Sequence, residues 1–426
     1  MNYNLMSDAE RKAELAQLLK KYEEIKSQGI SLDLSRGKPG KDQLDITTGM
    51  LGVISQGADC FSQSGLDCRN YGNLDGIPEA KALFSELLGI SPSRIFIGGN
   101  SSLNMMYDAI SRAMIYGMGE GNIPWSRQGK IKFICLTPGY DRHFAICESF
   151  GIEMVSLELG PDGPDMDEVE NIVCNDPSVK GIWCVPKYSN PTGTVYSDET
   201  VRRFAAMKPA APDFRIFWDN AYAVHDLTDN KIKLANIFDL ADEYGTVDNI
   251  LYFASTSKIT FPGSGVAITA ASEKNLAQIR KIISVQTIGH DKINQLRHVK
   301  YFQNANGVLR HMRHHAEIIR PKFEAVISAL ENDLGDTGIA RWTNPKGGYF
   351  ISLDITTGSA KRAWELAREA GVTLTNAGAS FPYGKDPHDR NLRIAPTFPP
   401  LPDVRKASEV LTLCVRICAL EGLLGK

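Results

Sequence analysis

The chain has no apolar run approaching the ~20 residues that a membrane-spanning helix needs. Its formal net charge is only −3 over 426 residues. So small a charge disfavours a nucleic-acid or membrane surface as the main partner. Met1 to Gln28 is polar and lacks the apolar core of a signal peptide, so no export is expected. Eight cysteines, at 60, 68, 135, 147, 174, 184, 414 and 418, form no C-x-x-C pair. A disulfide framework is not expected in a chain of this kind. Cys135 and Cys184 lie in apolar strand-like runs, where a thiol packs as a small hydrophobe. A reduced, cytoplasmic protein is the expectation. There is no internal repeat and no low-complexity tract.

What is present is ordinary globular composition, 43% apolar. The length exceeds what one compact core serves, so two domains are expected. Seven short runs rich in Ile, Val and Phe follow residue 76: Ile95–Ile97, Lys132–Leu136, Glu153–Leu157, Ile182–Val185, Arg215–Asp219, Ile250–Phe253 and Val266–Ala270. Most are separated by helix-sized segments, which predicts an α/β fold with a largely parallel seven-stranded sheet flanked by helices. Beyond residue 272 the pattern is helical over Lys274–Ile288 and Asn306–Glu331. It is then mixed, with strand candidates Tyr349–Leu353, Val372–Leu374 and Leu392–Ala395, and helical again over Asp403–Leu423. A large domain at 51–304 and a smaller α+β domain joining 1–50 to 305–426 are expected.

Several runs end in polar or reactive residues, and in open α/β sheets ligands bind off the carboxyl ends of strands. Ser255-Thr256-Ser257-Lys258 follows the run Ile250–Phe253. A lysine there can be desolvated, depressed in pKa and made competent to form an imine. A surface lysine in a loop is the competing reading. The motif also has the S-x-x-K form of penicillin-binding serines, but the S-D-N and K-T-G companions are missing. Asn190-Pro191-Thr192-Gly193 follows the run Ile182–Val185, where Pro and Gly would make a turn unaided. Asp219-Asn220-Ala221-Tyr222 closes the run Arg215–Trp218. A carboxylate ending a buried strand is costly without a cation, and a protonated ring nitrogen would be one. A helix N-cap is the alternative. His311, His314 and His315 crowd one helix, and the 311/315 spacing suits a metal, but no further ligand is recognisable nearby, so packing is preferred.

In this order, Asn-Pro-Thr-Gly, Asp-x-x-Tyr, Ser-x-x-Lys and a late Arg resemble the class I/II aminotransferases, fold type I of the pyridoxal-phosphate enzymes. The intervals are 29 residues from Asn190 to Asp219, 39 on to Lys258 and 135 on to Arg393. The resemblance covers about Asp33 to Arg393 and implies specific roles. Lys258 would hold the cofactor as a Schiff base and catalyse the 1,3-proton shift. Asp219 would keep the pyridine nitrogen protonated, and Asn190 and Tyr222 would hydrogen-bond the ring's phenolic oxygen. Tyr140, in Thr137-Pro138-Gly139-Tyr140, would stack on the ring. Gly98-Gly99-Asn100-Ser101-Ser102 resembles the phosphate loop, with Ser101, Ser102 and Ser255 as ligands, although Ser101 equally suits a plain N-cap. Tyr71 resembles the tyrosine that reaches the phosphate of the neighbouring subunit, which implies a homodimer with shared active sites. Arg393 matches the arginine that grips the substrate α-carboxylate, for which a guanidinium fork is suited; an ion pair is the competing reading. Gly37, in Ser35-Arg36-Gly37-Lys38-Pro39, resembles the segment that closes over substrate.

One departure stands out. Many relatives carry a phosphate-binding arginine several residues after the lysine, whereas Ile259-Thr260-Phe261-Pro262-Gly263-Ser264-Gly265 has none. Ser264 would substitute in part. This departure, with Ser-Arg-Gly-Lys-Pro and Tyr-Asp-Arg-His-Phe, resembles a divergent bacterial branch described as aspartate aminotransferases. The expected reaction is therefore transamination of aspartate or glutamate with a 2-oxo acid. Arg36, Arg142 and His143 are candidates for the distal carboxylate. A pyridoxal-phosphate C–S β-lyase uses the same frame and is the alternative. An effector-sensing regulator of this fold is disfavoured, because only about 30 residues precede Ser35 and the charge is slightly acidic.

Overall fold

The computed structural model describes residues 2–119 and 121–425. The seven expected runs all form strands of one sheet, in the spatial order 95–97, 267–271, 250–255, 215–219, 179–184, 132–137, 153–160. An eighth strand, Gly163–Pro164, folds back antiparallel on Glu153–Gly160 and makes the sheet eight-stranded rather than seven. Two residues between turns carry no periodicity, so it left no trace in the pattern. The five strands from 153–160 to 250–255 are mutually parallel, and 267–271 runs antiparallel to both of its neighbours.

Both faces of this sheet are buried, which is why the runs are continuously apolar rather than alternating. Ile216 and Trp218 join one core with Ile134, Leu136, Ile182 and Cys184. Phe217, between them, faces the other core with Phe133, Cys135, Trp183 and Phe253. Each such fully buried large side chain contributes roughly 1.5–3 kcal/mol. All eight cysteines are free thiols, and all but Cys174 are buried.

The remaining sheet structure lies outside these layers. Ala340–Trp342, Ile351–Ile355 and Asn391–Ile394 form an antiparallel three-stranded sheet. Leu32–Asp33 pairs in parallel with Val372–Thr373, which fastens the N-terminal segment to the C-terminal region. The helix Asp8–Lys26 starts at a Ser7–Glu10 capping box. Its buried Leu15, Leu18, Tyr22 and Ile25 share a core with Val404 to Leu420 of the last helix, Leu401–Leu423. The helix Ala305–Leu334 spans both regions. Val308 and Met312 pack with Leu83, Val224 and Ile259, whereas Ala316 to Leu334 join the C-terminal core.

One helix, Lys292–Phe302, was not expected from the pattern. Its buried side chains include Lys292, Asn294, Gln295 and His298 beside Leu296, Val299 and Phe302. Polar residues at core positions erase the apolar stripe by which a helix is recognised. Among the described residues, no helix is long and apolar enough to cross a membrane.

Candidate active site

The parallel strands deliver Thr137, Cys184, Asp219 and Ser255 to one edge of the sheet. Asp219 ends its strand opposite Phe253, and Asn220 N–H donates to the Phe253 carbonyl at 2.9 Å. Asp219 is 2% exposed. Its Oδ2 lies 3.2 Å from His143 Nε2, while Oδ1 is buried with no hydrogen-bond partner. His143 stacks on Trp183, with ring centroids 4.4 Å apart at 9°, and meets Tyr140 edge-on at 5.0 Å. His143 is thus committed to Asp219. It is not placed to receive a distal substrate carboxylate, as one reading of the sequence had it.

Lys258 follows on the turn after the next strand. It is half-buried, with Nζ 4.9 Å from the Tyr222 ring centroid. Burial holds its pKa below the ordinary lysine value, and the nearby Asp219 charge opposes that shift. Burial pushes the Tyr222 and Tyr140 hydroxyls up, so both stay protonated as donors.

The backbone beneath Lys258 is braced from several elements. Tyr349 Oη donates to the Lys258 carbonyl at 3.2 Å, and His225 Nε2 lies 3.3 Å from the same oxygen. His311 Nε2 is 2.9 Å from the Ile259 carbonyl and 3.1 Å from His315 Nε2. Gln43 Nε2 donates to Tyr349 Oη and His315 Nδ1, each at 2.9 Å. His298 Nε2 accepts from Thr256 and Thr260, each at 3.0 Å, with Nδ1 donating to the Asn294 carbonyl. His311 and His315 are therefore packing residues of the lysine turn. Burial keeps all four histidines neutral, with the pKa lowered to about 3 for His225 and His315 and about 4 for His298.

The segment Gly98–Ser102 adjoins this turn. Ser257 Oγ donates to the Asn100 carbonyl at 3.3 Å, and Ser255 Oγ donates to Ser257 Oγ at 3.0 Å. Ser101 caps the helix Ser102–Tyr116, its hydroxyl accepting from Asn104 N–H. The N-cap role is thus real, and it presents the amides of a helix start beside the serine hydroxyls. Gly265 closes the other side. A Cβ there would lie 2.9 Å from the Asn100 carbonyl and 3.4 Å from Ser257 N, so the position admits no side chain. Ser264 Oγ accepts from Arg297 Nη2 at 3.1 Å.

Arg393 is brought to Asn190 across the chain. Its Nη1 donates to Asn190 Oδ1 at 3.3 Å and to Asp141 Oδ1 at 2.8 Å, and Nε and Nη2 share the Thr375 hydroxyl. The guanidinium lies over the Phe350 ring, 5.0 Å from its centroid. Gly37 touches the same ring: a Cβ there would lie 2.1 Å from Phe350 Cζ. Arg36 and Arg142 are both exposed. Tyr71 is 78% exposed and stands apart from these residues, on a loop anchored by Lys292 Nζ donating to the Gly72 carbonyl at 3.0 Å.

No sequence pattern marked Tyr349, Thr375, His225 or Arg297 as site residues, because each arrives from an element distant in the chain. A buried carboxylate oxygen without a partner, a depressed lysine nearby and a glycine-lined cradle of amides and hydroxyls together suit a protonated heteroaromatic ring bearing an aldehyde and a phosphate.

Comparison with known proteins agrees. A family model described as aspartate amino-transferase matches residues 6–426. A putative aminotransferase of Mycolicibacterium smegmatis is 50% identical over 405 residues, covering 95% of each chain. An aspartate aminotransferase of Corynebacterium glutamicum is 45% identical over 402 residues, covering 94% of this chain and 93% of its own. The crystal structure of an aspartate transaminase from the same organism superposes with a TM-score of 0.96 at 43% identity, covering 99% of both chains. An α-aminoadipate aminotransferase of Thermus thermophilus, solved with a phosphopyridoxyl-leucine ligand, shares the fold at a TM-score of 0.71 and 21% identity, covering 93% of each chain. The chain belongs to the aspartate aminotransferase family, with the type I fold of pyridoxal-phosphate enzymes and pyridoxal phosphate as its cofactor.

Proposed function

We propose that this aminotransferase moves the amino group between aspartate or glutamate and a 2-oxo acid, by a ping-pong cycle at Lys258. The observation that carries the site assignment is the buried, unpartnered Oδ1 of Asp219. In this reading that oxygen holds the proton on the cofactor's ring nitrogen, and His143 fixes the carboxylate from behind. Bound pyridoxal phosphate supplies an aldehyde for covalent capture of amines and a ring that accepts electron density. Lys258 would be the amine that holds that aldehyde, and its Nζ would carry the proton to and from the substrate Cα. The lowered pKa leaves more of this amine uncharged for both tasks.

Tyr222 and Asn190 would donate to the ring's phenolic oxygen, and Tyr140 would cover the ring. Ser101, Ser102, Ser255 and Ser264 would hold the phosphate with the amides of the 98–102 loop. Arg393 takes the substrate α-carboxylate on the fork that also meets Asn190. Gly37 and Arg36 belong to the segment that closes over substrate. Residues 51–304 form the large cofactor-binding domain, and 1–50 with 305–426 form the small one.

The preference for a dicarboxylate draws on the relatives' names. The exposed Arg36 and Arg142 are the cations proposed for its distal group. Homodimerisation draws on the exposed Tyr71, which would reach the site of a second copy, and on Val285 and Ile288, 89% and 61% exposed. The deciding assay supplies aspartate and 2-oxoglutarate to the purified holoenzyme. Oxaloacetate with glutamate is expected. Pyruvate from cysteine conjugates without oxaloacetate would instead make it a β-lyase.

A further inference from the structure

The loop that follows Lys258 carries no cation, yet a phosphate cradle is built against it. The steric reason is local. Gly265 lies so close to the Asn100 carbonyl that this position takes no side chain, and residues 259–264 carry no lysine or arginine. The helix Lys292–Phe302 offers one. Arg297 Nη2 donates to Ser264 Oγ at 3.1 Å and to Asn294 Oδ1 at 2.5 Å. Asn294 in turn donates from Nδ2 to the Ser264 carbonyl at 2.9 Å and the Gly265 carbonyl at 2.8 Å. One asparagine therefore fixes both the arginine and the loop. The loop is tied to the cradle by Asn100 Nδ2 donating to the Gly263 carbonyl at 3.4 Å.

Among the described residues Arg297 forms no ion pair, and its Nε is buried without a hydrogen-bond partner. A half-buried guanidinium with free donors and no carboxylate is costly unless an anion meets it. We propose that Arg297 supplies the positive charge for the cofactor phosphate, alongside Ser264, in place of an arginine in the 259–265 loop. The proposal rests on the assignment of Gly98–Ser102 and Ser255 as the phosphate cradle.

The test compares pyridoxal phosphate with pyridoxal, which lacks only the phosphate, by titrating each into apo enzyme and following the visible absorbance of the lysine-bound form. In R297Q the Kd for pyridoxal phosphate should rise about 10- to 100-fold, the range of a charged hydrogen bond, with pyridoxal unchanged within about twofold. R297K keeps the charge and should retain most of the affinity for pyridoxal phosphate, which covers the case of R297Q failing to fold. Equal weakening of both ligands, or of neither, would overturn the proposal. The cradle assignment fails separately, if a Ser101→Ala/Ser102→Ala variant of otherwise native chain binds pyridoxal phosphate like the parent.

Discussion

His143 and Asp219 are joined by a 3.2 Å contact through Nε2 and Oδ2, which leaves Oδ1 of the same carboxylate buried and free. The geometry leaves one carboxylate oxygen braced and the other unpartnered. Trp183, stacked on the imidazole, prevents the ring from turning away.

Replacing Asp219 by Asn preserves volume and removes the charge. Single-turnover measurements with aspartate should show a loss of about 100-fold or more, the scale of a preorganised electrostatic contact. H143A leaves Oδ2 without its partner. It should cost about tenfold in rate and roughly 1–3 kcal/mol in stability, the penalty for an orphaned buried acceptor. A D219N enzyme within tenfold of the parent would make the aspartate structural.

Gly37, Phe350 and Arg393 form a stack in which each member sets the position of the next. G37A must push the Phe350 ring aside, and the guanidinium resting on that ring moves with it. Steady-state kinetics should show KM for both amino and oxo acids rising about tenfold, with a smaller change in kcat. R393K loses the planar fork and should raise KM about 10- to 100-fold.

Tyr349 acts on the lysine through the Lys258 carbonyl, as a positioning residue. Y349F removes the donor to that carbonyl and the partner of Gln43. A stability loss of about 1–2 kcal/mol is expected from the unmet buried groups. The pH at which the visible band of the lysine-bound cofactor titrates should also move. A purely structural tyrosine would change the melting temperature alone.

The four neutral histidines around the lysine turn make stability depend on pH. Their folded pKa values are depressed below the unfolded value of about 6.5. Between these limits the unfolded chain binds more protons, so stability falls as pH drops below about 6.5 and continues to fall toward about 3–4. Each fully buried histidine contributes up to about 2 kcal/mol between pH 6.5 and 5. Urea unfolding at pH 7.5 and 5.0 should show the loss, and H298Q should reduce it. Equal stability at the two pH values would contradict this account.

Much of the fold was legible because a doubly buried parallel sheet writes itself as short apolar runs. Each of the seven runs formed a strand of one sheet, most ending near the position read from the pattern. The strand Gly163–Pro164 and the helix Lys292–Phe302 were not legible, one being too short and the other polar at its buried positions. His143 was misread because a histidine after Tyr-Asp-Arg could face substrate or core, and only the stack on Trp183 decides between them.

The order of the motifs along the chain, and the family resemblance it carries, was enough to propose Lys258, Asp219, Asn190, Tyr222 and Arg393 as site residues, since each motif is short and lies at or just after a strand end. Which nitrogen braces Asp219, what holds the Lys258 carbonyl, and where the cation beside Ser264 comes from were settled only by the tertiary structure. Those contacts join residues 76, 91 and 33 positions apart. No local pattern encodes such pairs, because they depend on how the sheet edge, the helix Lys292–Phe302 and the C-terminal strands pack together.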